Sequence, residues 1–261
     1  MTKRIIVLAH GIFGFGDLAS PRPSLVSYFN GVAAHLRRQG HTVIAPHVSP
    51  IGPVVQRAEQ LASAILNQTP AGERVHIIAH SLGGLDARHA LVHRADLAKR
   101  VATLVAIGTP HRGSPVADAI VNRALPLFAH LPTFLVAQIE SNAGAVRDLT
   151  TASASARDDL TPDVEGIRYI DVAGDASKGG HELFLFQVGA VIGRITKEIN
   201  DGVVTRRSAL RAGHKHLRNW PVDHAGETGW SFESPLPVEV ELSGVPPPPH
   251  FARYDAIVRQ L

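Results

Sequence analysis

The sequence predicts an α/β fold: a mostly parallel, doubly wound sheet with helices on both faces, in one domain spanning residues 1–261. Three observations carry this expectation. Short β-branched apolar runs alternate with longer segments of helical period, the signature of strand-helix-strand units. Several of the runs end on Gly, His or Ser, and in open parallel sheets sites form at the carboxyl ends of strands. A chain of 261 residues, 44% hydrophobic and 19% charged, is long enough to bury one large core.

Arg4 to Ala9 reads as the first buried strand, ending in a glycine-rich loop, His10-Gly11-Ile12-Phe13-Gly14-Phe15-Gly16, through which backbone N–H groups can approach a ligand. No Gly-Lys-Ser/Thr follows, so it is not a phosphate-binding P-loop. Ser24 to Gln39 carries Leu25, Tyr28, Phe29, Val32 and Leu36 at helical spacing and stops at Gly40 before a strand, His41 to Ala45. A helix over Arg57 to Asn67 is broken by Pro70 and Gly72. Val75 to His80 is the next strand, Leu82 to His93 the helix after it, and Val101 to Ile107 a further buried strand. Ser114, followed by Pro115, marks a helix start.

Ile120 to Gln138 is almost wholly apolar, with Arg123 its single full charge; it reads as a buried helical hairpin or as an apolar lid over an acyl pocket, within a lid candidate spanning 116–160. Ser141 to Leu160 is helical, Ile167 to Val172 a strand, Gly189 to Ile199 helical, and Asn200-Asp201-Gly202 a turn. Four prolines, Pro246 to Pro249, form a linker-like stretch before a last amphipathic helix, Ala252 to Leu261.

Composition excludes several classes of chemistry. There is no cysteine, hence no disulfide, thiolate metal site or Cys nucleophile. The formal charge is +3, and the basic residues are dispersed apart from Arg206, Arg207, Arg211, Lys215 and Arg218. Nucleic acid is not an expected partner, because it calls for a coherent basic face with aromatics. The apolar run at the N-terminus is too short for a signal peptide, and no window reaches membrane-spanning length, so a cytoplasmic location is expected, or a secreted one if the sequence is that of a mature chain.

The sharpest chemical signal is V-H-I-I-A-H-S-L-G-G, Val75 to Gly84, where a strand stops at a small-His-Ser-Leu-Gly-Gly turn before a helix. This is the G-x-S-x-G elbow that exposes a nucleophilic serine, here Ser81, with Ala79 in place of the first glycine. An ordinary turn or a helix-capping serine fits the short pattern equally well. A serine nucleophile needs a histidine as base, a carboxylate to orient it and N–H donors for the oxyanion. Of the histidines downstream, His181, His214, His216, His224 and His250, the loop position of His224 suits the base best. Asp175, after a strand, and Asp201, in the Asn-Asp-Gly turn, compete as the acid, and spacing leaves both open. The expected oxyanion donors are the backbone N–H groups of Leu82 and Ile12.

Taken in order, HGIFG, RAEQL, AHSLGG, GTPHRGSPVAD, DLTT, NDGVV and DH resemble the bacterial true-lipase family, the triacylglycerol lipases typified by Pseudomonas and Burkholderia enzymes, nearly end to end. The resemblance implies an α/β-hydrolase fold and a Ser81-Asp201-His224 triad, deciding for Asp201 over Asp175, with Ile12 and Leu82 at the oxyanion hole. It also implies a structural calcium, one of whose ligands is an Asp two residues past the catalytic histidine. Gly226 stands there, and the segment for the other carboxylate looks shortened, so neither calcium nor another cofactor is expected. The activity it implies is lipase-like hydrolysis of acylglycerols or other apolar acyl esters, with transient contact to a lipid interface. The alternatives are a short-chain carboxylesterase, a thioesterase or an acyltransferase and, from a different class, a binding protein of the same fold with a decayed site.

Overall fold

The computed structural model describes residues 2–12, 28–122, 143–177, 184–230 and 247–261. Among these residues the centre is a six-stranded sheet, parallel throughout, in the order β2-β1-β3-β4-β5-β6. The strands are β1 (Ile5–Ala9), β2 (Thr42–Ile44), β3 (Val75–His80), β4 (Val101–Ile107), β5 (Arg168–Val172) and β6 (Lys215–His216). The central strands β1, β3 and β4 are buried on both faces, which is why they read as continuous apolar runs rather than alternating ones.

The crossovers place α1 (Val32–Arg38) and α10 (Pro249–Val258) on one face, where Leu36, Phe251, Tyr254 and Ile257 pack with Ile6, Leu8 and Val105. On the other face α2 (Val54–Gln68) and α3 (Leu82–His93) bury Ala58, Leu61, Ile65, Ala87 and Leu91 against Val7, Ile77 and Leu104. Short α4 (Ala95–Ala98) leads into β4, and α5 (Pro115–Val121) is capped by Ser114, whose Oγ accepts from the N–H groups of Val116 and Ala117. The segment expected as one helix from Ser141 is two, α6 (Ala143–Asp148) and α7 (Thr151–Leu160), because the Thr150 hydroxyl accepts the Ser153 N–H and starts a new helix. After β5 come α8 (Phe184–Thr196) and α9 (Arg206–Ala209). The apolar stretch Ile120 to Gln138, and with it the centre of the lid candidate, lies mostly outside the described residues, as do Phe13 to Gly16 and His181.

Two local readings change. The proline run does not simply link elements, since Pro249 is already the first residue of α10, where its missing N–H costs nothing. The basic stretch around His214 and His216 supplies the edge strand β6, which pairs Lys215 with Ile170 and His216 with Asp171. Two residues are too few for an alternating pattern to be legible.

Candidate active site

The carboxyl ends of β1 and β3, the start of α3 and the loops after α8 and β6 converge on one site. Ser81 holds φ 54° and ψ −128°, a backbone conformation rarely adopted by a residue with a side chain. The strand on one side and the helix on the other impose it: the Ser81 N–H donates to the Ile107 carbonyl of β4 (2.9 Å), and the Ser81 carbonyl accepts the Gly84 N–H (3.1 Å). The side chain is thereby pushed out at the turn, the geometry expected of a nucleophile elbow.

The elbow's two small positions are not equivalent. A Cβ at Gly83 would lie 2.5 Å from the Ala9 carbonyl oxygen and 2.8 Å from that of His10, so α3 approaches β1 too closely for any side chain. Ala79 by contrast sits in a row of alanines across the sheet, in register with Ala9 and Ala106, and its methyl group packs within the core. The departure from the elbow pattern thus falls where a methyl group fits.

The loop after β1 is tied down by one buried residue. Arg57, fully buried on α2, donates from Nη2 to the carbonyls of His10 (2.7 Å) and Gly11 (3.3 Å), and from Nη1 to the Ser49 carbonyl. Its charge is met by Asp86 of α3, 2.8 Å from Nε. His10 adds to the anchoring: its Nε2 accepts the Val48 N–H (3.2 Å), which leaves Nδ1 to donate to the Gly11 carbonyl (2.8 Å). Gly11 lies close against the elbow, for a Cβ there would come within 2.9 Å of the Ser81 Cβ. Ile12 packs in the same cluster as Leu82 and Leu85. The two expected oxyanion donors, the N–H groups of Ile12 and Leu82, therefore belong to touching segments. That of Leu82 is at the first position of a 12-residue helix, where backbone donors lack intrahelical partners and the dipole favours negative charge.

Asp201 and His224 are brought together. His224 Nδ1 donates to Asp201 Oδ2 at 2.7 Å, and the His224 N–H bonds to the Asp201 carbonyl at 2.9 Å. The other oxygen of Asp201 is fixed by the N–H groups of Val203 (2.8 Å) and Val204 (2.6 Å) within the Asn-Asp-Gly turn. The histidine lies beside the elbow: its ring centroid is 4.5 Å from that of His80, the residue preceding Ser81. Asp175, the competing acid, does not reach His224; its carboxylate accepts from the Ser177 N–H (3.2 Å) and hydroxyl (2.7 Å).

A second carboxylate, which sequence reasoning missed, stands beside His224. Glu227, wholly buried, puts Oε2 3.3 Å from His224 Nδ1 and 3.0 Å from His80 Nε2, while His80 Nδ1 is 2.6 Å from the Tyr28 hydroxyl. Burial, and then the charge of His224, hold the pKa of His80 well below 6.5, so His80 is neutral. One consistent arrangement follows: Tyr28 O–H donates to Nδ1, and His80 Nε2–H donates to Glu227. Burial opposes the charged form of His224, but Asp201 and then Glu227 outweigh it and push its pKa up to about 10. Glu227 is itself pushed up by burial, against the attraction of His224. A signal for Glu227 was present, since it lies three residues after His224 and a short 3-10 turn, Gly226–Thr228, brings it back; nothing local pointed to Tyr28, 52 residues before His80.

Gly226 occupies the position of the calcium-binding aspartate in the family resembled. A Cβ there would lie 2.9 Å from Val222 Cβ and 3.2 Å from Asp223 Oδ1. A side chain at this point would require Val222 and Asp223 to shift.

Comparison with known proteins bears on the same elements. A family model described as a PGAP1-like alpha/beta domain matches residues 52–174, the stretch from α2 through the elbow to the end of β5. The chain is similar to a triacylglycerol lipase of Vibrio cholerae, 37% identical over 121 residues, covering 46% of this chain and 36% of that protein. It is similar also to triacylglycerol lipase 2 of Saccharomyces cerevisiae, 29% identical over 211 residues, covering 78% and 63%. The matches thus span between about a third and two thirds of these relatives' length. Among solved structures, the lipase of Staphylococcus hyicus superposes with a TM-score of 0.73 at 18% identity, over 99% of this chain and 95% of that one. The mature lipase of Bacillus licheniformis gives 0.68 at 23%, over 85% of each. These two likenesses show the fold.

Proposed function

We propose that the chain is a lipase-like member of the α/β-hydrolase family, a serine carboxylic ester hydrolase cleaving apolar acyl esters through an acyl-enzyme intermediate. The observation that carries the proposal is the meeting of a serine at φ 54° with a partly exposed histidine, itself bonded to a buried carboxylate, beside it. In this reading His224 Nε2 takes the proton of Ser81 as Oγ attacks the ester carbonyl, forming the C–O bond and placing the negative charge on the carbonyl oxygen. The N–H groups of Leu82 and Ile12 receive that charge; a donor of this kind is worth about 3 to 4 kcal/mol. The tetrahedral intermediate collapses, the alkoxide leaves with the proton from His224, and water, deprotonated by the same imidazole, releases the acid and restores Ser81. Asp201 holds the imidazole in the tautomer with its proton on Nδ1.

The preference for longer acyl groups rests on the apolar segment Ile120 to Gln138, and transient contact with a lipid interface is supported by the exposed Ile51 and Val55 flanking the start of α2. Turnover of p-nitrophenyl esters is the test. Ser81→Ala is expected to abolish it with the fold unchanged by circular dichroism, and retained turnover would remove Ser81 from the reaction. A chain-length series in the unsubstituted protein separates the finer readings, since a maximum at two to four carbons without action on emulsified triglyceride would make it a short-chain esterase.

A further inference from the structure

The basic cluster of the sequence takes no part in ester chemistry, and the fold divides it. Arg211 turns inward to Asp158 (2.9 Å) and Asp163 (2.6 Å), beside the buried Asp171 that accepts His214 Nδ1 at 2.9 Å. Arg207 faces Glu198 at 3.8 Å. Arg206 and Arg218 instead line an open groove of about 1150 Å³, together with His216 of β6 and Arg253 of α10.

Three features of this groove point to its ligand. First, part of its positive charge is not neutralised: among the described residues Arg206 and Arg218 have no carboxylate partner, whereas Arg253 is drawn to the buried Glu227. Arg206 Nε donates to Asn219 Oδ1 (3.4 Å), Arg253 Nη2 donates to the Gly226 carbonyl (2.9 Å) while its guanidinium lies over Trp220 (5.3 Å), and Arg218 makes no hydrogen bond at all. The one carboxylate in the lining, Asp175, is engaged by Ser177. Second, the groove exceeds the roughly 300 to 1,000 Å³ of small-molecule pockets. Ala252 and Ala256, one turn apart on α10, line it with small side chains. Third, it follows the side of the sheet on which, among the described residues, no strand pairs with β6. β6 is the last strand in the order, and beyond it Leu217 and Trp220 donate their N–H groups inward to Asp171 and Ala173, while the backbone of Arg218 between them has no partner.

We propose that the groove binds an acidic, extended segment of a partner polypeptide, which lies along the outer edge of β6 with its carboxylates on Arg206 and Arg218. Strand addition to an exposed edge draws affinity from main-chain bonds and specificity from alternate side chains, and charge complementarity would set the choice of an acidic partner.

A fluorescein-labelled octapeptide of alternating Glu and Val tests this by fluorescence anisotropy on the full chain at low salt. Saturable binding is expected, with affinity falling as salt rises and weakened roughly tenfold by Arg218→Glu and further by adding Arg206→Glu. Ester turnover in these variants serves as the check of folding. Amide exchange across 215–220 should slow when peptide is bound. The proposal is overturned by absence of binding, by equal affinity in the charge-reversed variants, or by equal binding of the peptide with Lys in place of Glu. It is overturned as well if tripolyphosphate or phosphatidylserine vesicles bind with this arginine dependence and the peptide does not, which would make the groove a small-anion or lipid site. Arginine-dependent binding with unchanged exchange at 215–220 would refute strand addition.

Discussion

Replacing Glu227 by Gln removes one of two carboxylates from Nδ1 of His224 while keeping the size and an oxygen acceptor for His80. At 3.3 Å, the Coulomb attraction of Glu227 for the imidazolium is about 5 kcal/mol with an effective dielectric near 20, equivalent to roughly 3 to 4 pH units. That figure is a ceiling, because the same oxygen is shared with His80 and burial disfavours the charge of Glu227. A fall of at least about one unit in the His224 pKa is expected. The sign matters for the assay. The general base must be neutral, so kcat/KM falls as pH drops through the pKa of His224, and the two carboxylates place this acid limb above the ordinary 6.5. In Glu227→Gln the limb moves to lower pH, and the rate at pH 7 rises as a fraction of the alkaline plateau. The plateau itself declines, by up to about tenfold per unit of basicity lost, since a weaker base drives proton transfer less well. The measurement is kcat/KM for p-nitrophenyl butyrate from pH 5 to 10.5 in both proteins, with thermal melting as a check. Damage to the fold alone would lower the whole profile without moving it. A limb at or below 6.5 in the unsubstituted protein, or one unmoved by Glu227→Gln, would refute the role of the second carboxylate.

Two further outcomes follow from backbone strain and buried charge. Ser81→Gly relieves the φ 54° conformation that Ser81→Ala retains, so the glycine variant should exceed the alanine variant in stability by about 1 to 3 kcal/mol in denaturant titration, both being inactive; equal midpoints would argue that the elbow stores no strain. Arg57→Met leaves Asp86 without its partner and frees the carbonyls of His10 and Gly11, so about 3 to 5 kcal/mol of stability should be lost. In folded protein at low temperature kcat should fall more than KM rises, and a purely thermal defect with kcat intact would show that Arg57 does not position the loop.

What could be read from the chain and what could not divides along the range of the interactions. The sheet was legible because β1, β3 and β4 are buried on both faces, so each carries its burial in a continuous apolar run, and the start of α5 was legible because Ser114 and Pro115 act on their immediate neighbours. Asp201 was recognisable as a turn residue from Asn-Asp-Gly alone, yet its preference over Asp175 came only with the family resemblance, since a strand-end aspartate satisfied the same local rule. In the structure the hydroxyl and N–H of Ser177, two residues on, engage Asp175, whereas the turn N–H groups of Val203 and Val204 hold one oxygen of Asp201 and leave the other for His224. Tyr28, His80 and Glu227 form a chain only because β3, the loop after β6 and the segment before α1 meet in space, and hydrogen bonds between residues 52 and 147 positions apart leave no periodic trace. His80 shows the consequence most directly. In the sequence it was a residue of the elbow pattern, adjacent to the nucleophile by covalent necessity. In the fold its neutral ring carries the influence of Glu227 to Tyr28, so the position before the serine connects the acid side of the site to the side of the Gly11 loop.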